Sequence, residues 1–273
     1  MRPASYCKPG QDDPSLASVN ACIYSHPGEG KTALWGTGSE DVLFMVSDPE
    51  GIISARALGS RPHSVQVTDY EELQECYEWL KNDRPTDFRW TVWDSLTLFQ
   101  DRSLHDDIMV DAHDDNPKQD EFVPSRREYL QSMNRIGRYV RLFVDLPYNF
   151  GVSCHLMLTD DPKGEGTMFA PAVQGRGMSS KFSGYMNVVG YLGKAKTEDK
   201  KTIQRLLLQR HGRYYAKNRF AGSTGMYMDR PTLPKLDAAI ADWRVKMKEM
   251  DSEGSPTPSV QRRPRRRTVK ENK

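Results

Sequence analysis

Nine consecutive residues carry the clearest chemical pattern in this 273-residue chain. Gly28 and Gly30 leave room for backbone N–H groups to converge on phosphate oxygens. Lys31 could neutralise phosphate charge, and the Thr32 hydroxyl could bind Mg²⁺. This is the spacing of a P-loop (Walker A) that binds ATP, except that its first glycine position holds Ser25. The candidate nucleotide-binding residues are Ser25, His26, Pro27, Gly28, Glu29, Gly30, Lys31, Thr32 and Ala33.

A P-loop needs a strand before it and a helix after it. The apolar run 21–24 predicts a buried strand, and the residues from Lys31 onward can begin a helix. The positive end of that helix would point at the same anion. A plain Gly/Pro turn between a strand and a helix is the alternative, and Gly-Lys-Thr in this context favours nucleotide binding.

Acidic residues follow two further predicted strands. The apolar run 42–46 leads into Asp48-Pro49-Glu50, which places these acids at the ligand-binding edge of an open α/β sheet. The run 88–94 ends in Asp94, the arrangement of a Walker B acid that holds Mg²⁺ mainly through water. Thr32 and Asp94 are therefore the candidate metal ligands.

The second half of the chain is predicted to hold a fourth strand, a long loop and antiparallel strands. The strand, at 152–158, carries His155, for which a structural role and a nucleotide-sensing role both stay open. The loop, at 160–184, is rich in Gly, Pro and Ser. Strands follow at 186–192, 202–209 and 213–216, the last after a turn at His211-Gly212.

Three helices are predicted from apolar spacing and capping residues. Asp69 is a plausible N-cap for a helix over 69–81. Ser125 and Glu128 form a capping-box pattern at the start of a second helix, with Tyr129 on its predicted core face. A third helix is predicted at 234–249. The arginines of the second helix fit a solvated face better than a phosphate-backbone contact.

Residues 101–121 contain eight acids and two bases. A metal-binding or regulatory loop is one interpretation, but the acids match no known ligand spacing, so we expect a solvated, partly disordered segment. The four cysteines are scattered, and two fall in predicted strands. This pattern predicts buried thiols in a reducing cytoplasm rather than disulfides or a zinc site.

Composition suits a globular chain, with 37% hydrophobic and 28% charged residues. We expect a flexible arm at 1–18, one α/β domain at 19–250 and a disordered basic tail at 251–273. No apolar run is long enough to span a membrane, and no signal-peptide core is visible. The net charge is +2, yet residues 255–273 hold seven bases and one acid, which leaves −4 for the rest.

In order along the chain, these features resemble the RecA/RadA ATPase core, and look most like phage-encoded RecA-like ATPases of single-strand annealing and recombination. The resemblance covers about residues 19–220. It rests on the P-loop, Asp48-Pro49-Glu50, Trp93-Asp94-Ser95, the strand with His155, and Lys217-Asn218-Arg219. It implies an α/β fold with a mainly parallel central sheet, helices on both faces and antiparallel strands near the C-terminus.

The resemblance also implies roles for single residues. Glu50 would orient the attacking water, and Lys217 and Arg219 would enter a neighbouring subunit's site. His155 stands where the family more often has Gln. The catalytic candidates are thus Lys31, Glu50, His155, Lys217 and Arg219. The segment 160–184 takes the place of a DNA-binding loop, and the candidate nucleic-acid contacts are Lys163, Arg176, Lys181, Arg262, Arg263, Arg265, Arg266 and Arg267.

The function implied is hydrolysis of ATP with Mg²⁺ on single-stranded DNA by a homo-oligomeric ring or filament. A single-strand binding protein or other replication proteins are candidate partners. Three alternatives stay open: a small-molecule P-loop kinase, a non-hydrolysing module whose nucleotide controls assembly, and a helicase-loader-like role. The predicted Lys-x-Arg strand end disfavours the kinase, and Glu50 disfavours the non-hydrolysing module.

Overall fold

The structure is a computed structural model that describes residues 18–161, 164, 166–175, 177–220 and 222–252, with the backbone alone for 250–252. Lys163, Arg176 and the arginines at 262–267 lie outside the described residues, as do Cys7, nearly all of the predicted arm and all of the tail after 252. The strands are β1 Asn20–Ser25, β2 Val42–Val46, β3 His63–Gln66, β4 Trp90–Asp94, β5 Asn149–Asp160, β6 Thr167–Pro171, β7 Val188–Lys196, β8 Thr202–Leu207, β9 Lys217–Asn218 and β10 Tyr227–Asp229. The α-helices are α1 Lys31–Gly36, α2 Ile53–Arg56, α3 Tyr70–Asn82, α4 Leu96–Ser103, α5 Met109–Asp115, α6 Arg126–Val144, α7 Met178–Tyr185 and α8 Leu233–Ser252.

The ten strands form one sheet in the order β10-β8-β7-β1-β5-β4-β2-β3, with β6 paired to β5 and β9 paired to β7. Pairing is parallel from β7 through β1, β5, β4 and β2 to β3. The remaining pairs, among them the β7–β8 hairpin, are antiparallel. The predicted fold class is therefore confirmed, including the antiparallel strands near the C-terminus.

Helices cover both faces of the sheet because side chains alternate along each strand. In β1, Cys22 and Tyr24 face a core cluster completed by α3, α4, α6 and α7. Ala21 and Ile23 face a second cluster that contains residues of α1 and α8. The sheet thus holds α1, the helix after the P-loop, on one face and the longer helices mainly on the other.

Helix α1 is fixed to the central strand β5 through Trp35, which is fully buried. Its indole Nε1 donates to Ser153 Oγ at 3.1 Å. A Cβ built on Gly151 would lie 3.1 Å from the indole ring, so a glycine is what admits the ring at this point. The packing of this one side chain sets the distance between the P-loop helix and the sheet.

The predicted helix starts agree with the structure. The Asp69 side chain accepts from the N–H of Glu72 at 2.8 Å, and the capping box of Ser125 and Glu128 is present at α6. Tyr129, predicted as part of the α6 core face, is instead 44% exposed. Helix α8 runs to Ser252, two residues into the predicted tail.

Two predictions about irregular segments are wrong. The acidic segment 101–121 is largely helical, through the end of α4, a π-helical turn at Leu104–Ile108, and α5. Its apolar residues Leu104, Ile108 and Met109 are buried, and their contacts outweigh the acidic composition. The predicted long loop 160–184 contains strand β6 and helix α7.

The third predicted C-terminal strand, 213–216, is also wrong. His211 and Tyr214 close the predicted turn with paired backbone hydrogen bonds of 3.3 and 3.0 Å. Tyr214 then stacks on Tyr191 with ring centroids 4.2 Å apart. The strand itself is the two-residue β9, and β10 completes the sheet edge beside β8.

Candidate nucleotide site

The turn after β1 has the backbone of a P-loop. Gly28 and Gly30 take φ values of 76° and 87°, in the left-handed region that favours glycine. Gly30 is the N-cap of α1, so the N-terminal N–H groups of this helix face the turn. The local geometry that the sequence predicts for phosphate binding is therefore present.

Lys31 lies in the concave side of this turn, with only 7% of its surface exposed. Its Nζ donates to the Ser25 carbonyl at 3.4 Å, to Ser25 Oγ at 3.2 Å and to the His26 carbonyl at 3.2 Å. Burial lowers the pKa of Lys31, and the nearby Asp94 carboxylate opposes that shift. Ser25, in place of the usual glycine, thus adds a hydroxyl that helps to hold the ammonium group.

Thr32 and Asp94 meet beside Lys31. The Thr32 hydroxyl donates to Asp94 Oδ2 at 2.5 Å, although the residues are 62 positions apart. Burial raises the pKa of Asp94, against the lowering effects of hydrogen bonds from Thr32 and Ser153 and of the Lys31 charge. A hydroxyl and a carboxylate are the hard oxygen ligands that Mg²⁺ prefers, so these two residues fit that ion.

His155 lies on β5, the strand between the P-loop strand and the Asp94 strand. It is the register partner of Ser25, and its N–H donates to Thr97 Oγ1 at 3.0 Å. Burial, followed by the Lys31 charge, lowers the pKa of His155 against the opposing effect of Asp94. The imidazole is consequently held neutral at the same edge of the sheet as Lys31 and Asp94.

Glu50 lies in the turn after β2, one strand beyond Asp94. Val46 pairs with Asp94, and the Ser47 N–H donates to the Asp94 carbonyl at 2.9 Å. Glu50 itself is exposed, and its N–H donates to Asp48 Oδ1 at 3.2 Å. The turn leads into α2, where Ala55 packs against Gly36 of the P-loop helix. Glu50 is therefore on the predicted edge, with its side chain open to solvent.

Lys217 and Arg219 lie away from this edge. Strand β9 pairs with Val188 and Val189, which pair with Ala21 and Cys22 near the start of β1. Since each residue advances a strand by about 3.3 Å, the pair lies about 10 Å back from the P-loop along the strand direction.

Both cations contact the C-terminal end of α7. Lys217 Nζ donates to the Ser183 and Met186 carbonyls at 2.9 Å each, and Arg219 Nη2 donates to the Gly184 carbonyl at 3.0 Å. The carbonyl end of a helix attracts cations. The spacing of the pair suggests a shared anionic target, and this helix end is one within the same chain.

Of the candidate nucleic-acid contacts, Lys181 is described. It lies exposed on α7, inside the segment predicted to be a loop. Within the described ranges, no cluster of three or more His, Cys, Asp or Glu side chains could hold a metal, which agrees with a structural role for the acidic segment. Cys22, Cys76 and Cys154 are free and buried, as predicted. No described helix combines the length and apolar character of a membrane span.

Two residues at the site were not predicted from the sequence. Gln204 Nε2 donates to the Glu29 carbonyl at 2.8 Å, and Lys194 Nζ lies 3.5 Å from Glu29 Oε1. Both come from the β7–β8 hairpin. The alternation of Leu192 and Leu206 with polar neighbours is the sequence signal that places Lys194 and Gln204 on the α1 face of the sheet.

Comparisons with known proteins give low similarities. No family model matches the chain, and no curated protein matches it. Among solved structures, the chain is similar to the RadB recombinase at 14% identity and a TM-score of 0.41, over 71% of this chain and 81% of that one. For flagellar accessory protein FlaH from Methanocaldococcus jannaschii, the identity is 10% and the TM-score 0.37, over 77% and 84%. For the ATPase domain of a helicase they are 12% and 0.40, over 74% and 78%. At these values we base the functional assignment on the site geometry alone.

Proposed function

We propose that this protein binds ATP with Mg²⁺ and hydrolyses it. The observation that carries the proposal is the Thr32–Asp94 hydrogen bond of 2.5 Å beside the buried Lys31. A P-loop hydroxyl and a strand-end carboxylate that converge in this way supply oxygen ligands for Mg²⁺ next to a phosphate-binding turn. Bound Mg²⁺ would neutralise negative charge that develops on the phosphate oxygens.

The residues of the chain would contribute mainly position and charge. Lys31 exchanges its three oxygen partners for phosphate oxygens, and the N–H groups at the start of α1 donate to the same anion. Glu50, at the open edge, orients the attacking water and accepts its proton. His155, neutral and between Lys31 and Asp94, is placed to contact the transferred phosphate.

The finer parts of the proposal concern the polymer that the ATPase acts on. Following the sequence resemblance, we propose action on single-stranded DNA by a ring or filament, in phage-type recombination, annealing or replication. Support comes from the exposed Lys181 and from the net +6 of residues 255–273. Deletion of 255–273 is expected to weaken DNA binding and to reduce its salt dependence. Binding with an unchanged salt slope would favour a solubilising or targeting tail.

The test of nucleotide binding is Lys31→Ala. Removal of the buried ammonium group is expected to abolish ATP binding measured by calorimetry, because no other described cation takes its place in the turn. Lys81→Ala removes an exposed lysine from α3 and serves as the charge-matched control. Equal ATP affinity in wild type and Lys31→Ala would refute the P-loop assignment.

A further inference from the structure

We infer that the β7–β8 hairpin is part of the phosphate-binding site, with Gln204 orienting the P-loop backbone and Lys194 neutralising Glu29. This inference rests on the proposed nucleotide site. Lys194 and Gln204 are register partners across the hairpin, so their side chains leave the same face side by side. Both reach Glu29, the residue before the N-cap glycine of α1.

Gln204 fixes the orientation of one peptide group of the loop. Its Nε2 donates to the Glu29 carbonyl at 2.8 Å. In a trans peptide, the carbonyl and the following N–H point in opposite directions. Because the Glu29 carbonyl is held toward the hairpin, the Gly30 N–H is turned away from it. A P-loop binds phosphate through N–H groups aligned in this manner.

The fit between Gln204 and the loop is tight. A Cβ built on Gly30 would lie 2.5 Å from Gln204 Nε2, and the Gly30 φ of 87° is a second reason for glycine at this position. Any larger residue would displace the glutamine. The requirement for Gly30 thus comes partly from the hairpin as well as from the anion.

Lys194 answers a charge problem. Glu29 places a carboxylate within a turn that must accept a polyanion, and its side chain is 24% exposed. Lys194 lies 3.5 Å from Oε1, while Oε2 is buried without a hydrogen-bond partner among the described residues. The ion pair brings the local charge near zero, and without it the carboxylate would repel phosphate oxygens.

The test is a double-mutant cycle on ATP affinity measured by calorimetry with ATP and Mg²⁺. Lys194→Met is expected to raise the Kd about two- to five-fold, as for a partly exposed pair. Glu29→Gln is expected to bind ATP at least as tightly as wild type. The double variant, with no charge on either side, is expected to return to the wild-type Kd. Lys196→Met removes the same charge from the same face of β7, two residues further along, as the control.

Each contrary outcome is specific. A double variant as weak as Lys194→Met would mean that Lys194 contacts phosphate directly, and an unchanged Kd in Lys194→Met would remove any role for the pair. An equal loss in Lys196→Met would reduce the effect to general charge. A wild type that binds no ATP would refute the proposed function instead.

Gln204→Met tests the backbone contact, because it keeps length and removes the donor. The melting temperature without nucleotide is expected to change little, while the Kd for ATP rises about three- to ten-fold, the value of one hydrogen bond. Thr202→Val, on the same face of β8, is the control. A Gln204→Met protein with wild-type ATP affinity would overturn the orienting role.

Discussion

The Thr32 hydroxyl donates to the Asp94 carboxylate at 2.5 Å, joining the start of the P-loop helix to the end of β4. Strand β5 lies between the two strands that carry these residues. The contact therefore depends on a helix start that leans across a neighbouring strand. A plain Gly/Pro turn between a strand and a helix has no use for such a contact.

Asp94→Asn is expected to stabilise the ligand-free protein while removing its Mg²⁺ dependence. The folded pKa of Asp94 is raised, so the ionised carboxylate costs stability at every pH above its ordinary value near 3.9, including neutral pH. An amide removes that cost and still accepts from Thr32. Each kcal/mol gained should raise Tm by about 2–4 °C.

Thermal unfolding without Mg²⁺ or nucleotide measures this effect, and Asp114→Asn at an exposed position is the control. A lower Tm in Asp94→Asn, or ATP binding that keeps its response to Mg²⁺, would contradict the assigned role.

Glu50→Gln is expected to keep ATP affinity and to lower the hydrolysis rate by at least about 100-fold, because the amide keeps the shape and loses the base. Calorimetry and a steady-state phosphate-release assay measure the two quantities. Glu40→Gln lies just before the opposite end of β2 and is the matched control. Wild-type turnover in Glu50→Gln would show that another group orients the water.

His155 is expected to make folding stability sensitive to acid. Its folded pKa is below the ordinary value of about 6.5, so the unfolded chain binds more protons just below that pH. Stability should therefore fall as the pH drops from about 7 toward 5, and less steeply in His155→Gln.

Urea unfolding across that range gives the comparison, and His105→Gln at an exposed position controls for the loss of one histidine. Parallel pH profiles for wild type and His155→Gln would mean that the neutral form is not enforced by folding.

Lys217 and Arg219 can be separated by their contacts. Lys217→Met removes two hydrogen bonds to the end of α7 and should cost about 1–3 kcal/mol of folding free energy. Arg219 makes one such bond and is exposed, so its remaining donors are open to a neighbouring subunit. Arg219→Ala is expected to bind ATP normally and to fail to hydrolyse it.

A mixture of Arg219→Ala with Lys31→Ala should partly recover activity where subunits exchange, since each defect lies on a different side of a shared interface. Full hydrolysis by Arg219→Ala alone would leave the helix end as the whole function of the pair.

The parts of the fold that short-range rules describe were predictable. The bounds of β2, the Asp69 cap and the Ser125 capping box depend on a few adjacent residues, and each agrees with the structure. The edge positions of Asp94 and His155 followed from strand order. The roles given to these residues stay predictions.

The errors involve contacts between distant residues. Strand β6 exists because it pairs with the far part of β5, and Tyr214 stacks on an aromatic ring where strand propensity suggested a ladder. Gln204 meets Glu29 across 175 positions. Propensity and spacing carry no information about such pairs, since each forms only once the sheet is assembled.

The indole of Trp35 against Gly151 has a consequence for natural and laboratory variation. Gly151 has no chemical role, yet a single methyl group there would meet the ring of Trp35 and the side chain of Val92, with nearest atoms at 3.1 and 2.9 Å. The methyl would push the P-loop helix away from the sheet. A deep mutational scan selected for activity should therefore show Gly151 to be as intolerant as Lys31, a loss of function encoded at a position that touches no substrate.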